Sequence, residues 1–238
     1  MPYRKLPKTD QARIRTLKTA INLKKEFGFD SVPISYELLN RAKTQLPLFE
    51  HYQVLYSQAY ENWQKNNPHY REAVNSIRLY ISHFIQVFNM AVMRGEFKKE
   101  ARTYYKLPID NAALPDLTDE DNLFEWGKNL IDGEMQRRQN GGMPMTNPTI
   151  AMLNVAYELF KQLRTEQQIR QIAIQRTKEN FNLERVKTDA LIKEIWDEIE
   201  SRFSSLPQEK RMENCQKCGI IYYYRNAENG NDIEEDNF

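Results

Sequence analysis

Cys215 and Cys218, spaced Cys-x-x-Cys in the stretch ENCQKCGIIYYYR (213–225), are the residues whose types and spacing best suit chemistry. Such a pair could form half of a structural zinc site, which needs four ligands and commonly draws on a second Cys or His pair. The chain has no other cysteine. His51, His69 and His83 stand far upstream, with no His-x-x-x-His or Cys-x-x-His pairing among them. Redox use would need the pair at a helix N-terminus after a strand, where the helix dipole lowers the thiol pKa. Here the order is reversed, because the pair precedes the extended run. The spacing predicts ordinary thiols, leaves Cys215 and Cys218 as weak metal candidates, and implies no cofactor.

Other reaction classes leave no signature. A di-iron carboxylate centre in a helical bundle needs two Glu-x-x-His motifs, but Leu48, Asn66 and Tyr80 stand three residues before the histidines. The glycine-rich NGGMPM lacks the lysine and the preceding strand of a phosphate loop. No Gly-x-Ser-x-Gly occurs. His83 lies in the most apolar stretch and is read as a core histidine rather than a catalyst. Asp197, Glu198 and Glu200 of WDEIE read as a solvated helix face. No catalytic residue is predicted.

The overall charge of +1 gives no global pull toward nucleic acid or an anionic surface. Its distribution is uneven. Residues 1–28 carry eight basic and two acidic side chains, a net +6, and residues 226–238 carry five acidic and no basic ones, a net −5. Arg4, Lys5, Lys8, Arg13, Arg15 and Lys18 are therefore the candidate nucleic-acid contacts. The competing reading is a basic face that is solvated or meets acidic groups of this protein or a partner, and the near-neutral whole favours it. Membrane-surface binding lacks Trp or Phe anchors on the apolar face of that helix.

Few glycines (8 of 238 residues) and 28% charged residues favour helices over a turn-rich β fold. A first helix is expected from Thr9 or Asp10 to Gly28, its apolar face built from Ile14, Leu17, Ala20, Ile21 and Leu23. Ser35 caps the next segment. Pro47 predicts a kink or break near Gln45–Leu46, and NNPH (66–69) a helix-to-helix turn. The stretch from 68 to 94 is apolar almost all round, so it is expected to be a central, covered helix. Residues 106–121 read as an extended connection, and Thr118 with Asp121 as a weakened capping box for a helix to about Gln139. NGGMPMTNP (140–148) is a loop. Beyond it, 148–205 reads as two helices joined near ENFN (179–182), or as one long one. GIIYYYR reads as a strand without an evident partner: it would pack on the bundle, pair with residues 106–117, or pair with another chain.

MPYRKLPKTD, YYKLPIDNAALPDL, EWGKNLIDGEMQRRQNGGMPMTNPTI, IWDEIESRF and GIIYYYR, in that order over residues 1–225, resemble a family of uncharacterised bacterial proteins. The resemblance implies an all-helical fold and carries no activity, cofactor, partner or catalytic residue. In that family the closing segment is a glycine followed by aliphatic and aromatic residues, and the cysteine pair before it is not a fixed feature.

The sequence thus predicts an all-α protein. The expected form is one helical domain over 1–225, an antiparallel bundle of long helices with a short C-terminal extended segment, and a disordered acidic tail at 226–238. With no targeting signal and no apolar run of spanning length, a cytoplasmic protein with no membrane partner is expected. The leading expectation is a non-enzymatic protein acting through a protein partner or self-assembly, a dimer being one form. Nucleic-acid association through the basic first helix is the alternative. An enzyme with a site between helices, around His83 and the tyrosines, is the third.

Overall fold

The computed structural model describes residues 3–27 and 32–223. The order is β1 (Tyr3–Arg4), α1 (Asp10–Phe27), α2 (Tyr36–Met93), a 3₁₀ helix (Lys99–Tyr105), α3 (Glu120–Gln139), α4 (Ile150–Arg202), α5 (Gln208–Lys217) and β2 (Tyr222–Tyr223). The fold is an all-α bundle of long helices with one two-stranded sheet. The chain divides into two compact units: Met1–Gln58 with Gln175–Phe238, and the continuous stretch Ala59–Ile174. The single domain expected over 1–225 corresponds to these two units. Gly28, Arg225 and the 226–238 tail lie outside the described residues.

Side-chain caps start three helices where the sequence placed them or within two residues. Thr9 Oγ1 accepts from the Ala12 amide at 3.2 Å, Ser35 Oγ from Leu38 at 3.4 Å, and Thr149 Oγ1 from Met152 at 3.3 Å. Thr118 does not cap α3. Its amide and hydroxyl both turn to Asp116 Oδ1, at 2.9 and 2.6 Å, closing a local turn instead.

Neither proline interrupts α2, so the expected break near Gln45–Leu46 and the turn at 66–69 are corrected. Pro47 and Pro68 are exposed, and so are Lys43 and Gln64, the residues four positions earlier whose carbonyls lose a donor. Water can serve those carbonyls. The cost of an interior proline, about 3 kcal/mol, is offset by neighbours on the opposite face: Ala42 and Phe49 are fully buried and Tyr70 is buried. α4 is likewise one helix through 179–182, where the fully enclosed Phe181 ring stacks near Phe49 and Tyr56.

In the first unit α2 and α4 run antiparallel. Ser35 bonds Glu198 at 3.0 Å and Gln45 bonds Glu184 at 2.9 Å, the numbers rising on one helix as they fall on the other. α1 lays Leu17, Ala20 and Leu23 on this pair, against Leu39, Ile192 and Trp196. The closing strand has a partner that the sequence did not suggest, the chain's own N-terminal segment. Tyr3 pairs with Tyr223 and Arg4 with Tyr222, antiparallel, and the Lys5 amide donates to the Ile221 carbonyl at 2.7 Å. Gly219 makes the turn into it at φ +86°. The Ile220 amide reaches back to the Cys215 carbonyl and the Gly219 amide to that of Gln216, a Schellman close to α5.

The second unit packs Ile77, Ile81, Phe84, Ile85 and Phe88 of α2 against the 3₁₀ helix, α3 and α4. This stretch is not covered all round. Leu79, His83, Gln86, Met90 and Met93 are exposed, and their 3–4 residue spacing makes one wet stripe. His83 is therefore a surface residue, not a core histidine.

Candidate functional site

The residues singled out by sequence fall into separate places. Both cysteines are outside any disulfide and buried in the first unit's core. Burial pushes the Cys215 thiol above its ordinary value, against a smaller opposite pull from its hydrogen bond with Tyr222. That is the reverse of an activated redox cysteine. No group of three or more His, Cys, Asp or Glu among the described residues could hold a metal. All three histidines are exposed.

Half of the basic set is tied down. Arg4 meets Asp197 at 2.6 Å, Arg13 forks onto Asp189 at 2.7 and 2.8 Å, and Lys18 meets Glu50 at 2.9 Å. Lys5, Lys8 and Arg15 are exposed. The WDEIE carboxylates are not simply solvated: Asp197 holds Arg4, Glu198 takes the Ser35 hydroxyl, and Glu200 takes the Tyr222 hydroxyl at 2.7 Å. Asp197 and Glu200 bind the two strand segments to α4, and Glu198 binds the start of α2.

The densest polar chemistry lies in the second unit, at residues that sequence reasoning passed over. Glu134 and Arg137 stand one turn apart on α3, and Tyr105 ends the 3₁₀ helix; all three are buried. Tyr105 donates its hydroxyl to Glu134. Arg137 donates to both Glu134 oxygens at 2.9–3.0 Å, to the Tyr105 oxygen at 2.8 Å and to the Met143 carbonyl at 2.6 Å. The Met145 amide donates to Glu134 at 3.0 Å, and the guanidinium lies 4.5 Å over the Phe97 ring. Burial, then the bond to Glu134, raises the Tyr105 pKa well above its ordinary value. Glu134 thus holds four donors and is shut from solvent. Both carboxylate oxygens are thereby engaged within the fold, and the cluster acts as a clamp.

What the clamp holds is the 140–148 loop, through Met143 and Met145. Backbone geometry fits the purpose. Gly141 turns at φ +83°, and a Cβ on Gly142 would stand 2.8 Å from the Arg137 carbonyl. On α3, a Cβ on Gly133 would meet the Tyr104 carbonyl at 2.4 Å. The readable signal was this glycine inside a helix, a choice that costs about 1 kcal/mol and implies close backbone approach.

The fixed loop walls a groove of about 670 Å³ between α3 and α4, floored by Ile131, Ile150 and Ala151 and edged by Met135, Pro144 and Arg138. Met135 is 54% exposed, Met143 of the loop 72%, and Val155, one turn beyond Ala151, 71%. Met152 and Leu159 continue the exposed apolar stripe of α4 at 3–4 residue spacing. No family profile, curated protein or solved structure matches the chain. No helix among the described residues is long and apolar enough to cross a membrane.

Proposed function

We propose that the chain is a non-enzymatic binding protein whose α3–α4 groove takes an apolar helical segment of a protein partner. The observation that carries this reading is the exposure of Met135 on the groove's edge, with exposed Met143 next in sequence to the lining Gly142 and Pro144, and exposed Val155 next to the lining Asn154. Contiguous apolar surface of this kind marks interaction sites. Methionine, unbranched and polarisable, adapts to irregular apolar partners. Arg138 at the rim has no acidic partner among the described residues, which favours an occupant with a carboxylate beside its apolar face. Helix-in-groove recognition uses such anchors at i, i+3 and i+4. Nucleic-acid binding has weaker support, because Arg4, Arg13 and Lys18 each spend their charge on an acidic side chain of this chain.

A photo-crosslinking residue at Met143 or Val155 tests the reading in the producing cell. The expected result is one discrete adduct, identified by mass spectrometry and lost with Met135→Asp. A crosslinking pattern no different from that at exposed Glu61 would sink it. Light scattering separates the second occupant, a copy of the chain, by showing a dimer that Val155→Asp dissolves.

A further inference from the structure

Beyond Asn154 a second recess, of about 350 Å³, opens between α3 and α4 and shares Ile131 and Asn154 with the groove. Its lining stays apolar at depth, with the Phe124 and Tyr157 rings 5.7 Å apart. Gly127 makes the room: a Cβ there would stand 2.4 Å from the Tyr157 ring, so a larger residue would push that ring away from α3. Along α3 the shared wall reads Lys128, Ile131, Met135 and Arg138, a 3-4-3 spacing that keeps all four on one face. At ~1.5 Å per residue this wall is about 15 Å long, close to three helical turns.

The charges at its two ends differ. Beside the 140–148 loop Arg138 is unopposed, because the one carboxylate lining that recess, Glu134, is held by Arg137. The other recess is lined by two bases and two acids. Glu158 and Lys161 pair with each other at 2.6 Å. Lys128 and Asp132, one turn apart, make no ion pair among the described residues; a lysine that precedes its acid is the weaker order on a helix. One end therefore attracts a negative group and the other accepts both signs. An occupant gains by aligning with that difference.

Resting on the groove reading above, we infer that the partner segment is an amphipathic helix of about three turns that lies along both recesses in a single direction. It is apolar in its middle, over Ile131 and Met135. Its acidic end meets Arg138, and an end carrying both signs meets Lys128 and Asp132. On such a helix the acid, the two apolar anchors and the mixed end fall at i, i+4, i+7 and i+11.

A designed peptide tests this on the full ¹⁵N-labelled chain. The probe is an alanine–glutamine helix with glutamate at i, leucine at i+4 and i+7, and one lysine and one glutamate in the turn around i+11. One control replaces the glutamate at i by lysine, and another stops after i+7. A nitroxide on the acidic end should broaden the amide signals of 138–142 and spare those of 124–128, and a nitroxide on the mixed end should reverse the pattern. Arg138 is exposed, so Arg138→Glu should leave the fold intact, weaken the probe about fivefold and restore binding of the lysine control. Lys128→Glu should weaken the probe less. Equal binding of the shortened peptide, broadening at both ends from one label, or indifference to Arg138→Glu would each overturn the inference and leave the groove reading standing. No binding by any of the three peptides would overturn both.

Discussion

Two sets of arginine–carboxylate contacts tie distant segments together, and they differ in what surrounds them. In the first unit Arg13–Asp189, Arg185–Asp10 and Arg4–Asp197 bind the N-terminal residues to α4 at the surface, with Asp197 more than half exposed. In the second, Arg137–Glu134 is sealed, and each side chain also serves a backbone group of the 140–148 loop. Surface pairs lose most of their Coulomb attraction to water and salt, and the median contribution is about 0–1 kcal/mol. A buried pair gains little over an apolar replacement, yet removing one partner strands a charge in the core. The first arrangement adds register to helices that already pack; the second makes the loop's position depend on a single carboxylate.

The sharpest way to break this contrast is Glu134→Ala. It leaves Arg137 buried without its counter-ion and should cost about 3–5 kcal/mol in urea unfolding. Amide exchange at Met143 and Met145 should rise with it. A cost below about 1 kcal/mol would place the clamp with the surface pairs.

Gly133→Ala comes next. Its Cβ would sit 2.4 Å from a backbone carbonyl, so the 3₁₀ helix must shift, at about 1–3 kcal/mol by thermal melting. An unchanged melting temperature would show that the approach of α3 to Tyr104 is not tight.

Alkaline titration probes the same buried oxygen. With its pKa raised in the fold, native Tyr105 stays protonated while the unfolded tyrosine ionises near its ordinary value of about 10. The stabilising term is full below that value and is lost as pH climbs above it, at about 1.4 kcal/mol per pH unit. Denaturant unfolding followed from neutral pH to well above pH 10 should show this slope only above that value, and Tyr105→Phe should reduce it by one tyrosine's share. An unaltered slope in the variant would assign the effect to other tyrosines.

The smallest effect belongs to the surface. Arg13→Ala should cost no more than about 1 kcal/mol, and less at high salt, since Asp189 is 43% exposed. A larger, salt-insensitive loss would erase the distinction between the two units.

The helical class, the α1 face and the caps at Thr9 and Ser35 were legible because periodicity and capping chemistry are local. The prolines misled because their effect depends on which side faces water: exposed Pro47 and Pro68 release only carbonyls that solvent can reach. His83 misled because a run of apolar residues hid a stripe whose partner surface is absent from the sequence around it. The groove and its clamp left only the glycine inside α3 as a local trace, since Tyr105 and Glu134 meet across the extended 106–119 connection, and no local pattern announces such a meeting. The strand partner of Tyr222 was missed for the same reason, carried to its limit of separation.

That pairing has a consequence for synthesis. Residues 3–5 hydrogen-bond to 221–223, so in a nascent chain residues 3–5 must wait until residues 221–223 have emerged from the ribosome. Ala59–Ile174 is uninterrupted and can complete its packing earlier. Folding of the Ala59–Ile174 unit can therefore precede the pairing of residues 3–5 with 221–223, which closes the other unit around it in sequence.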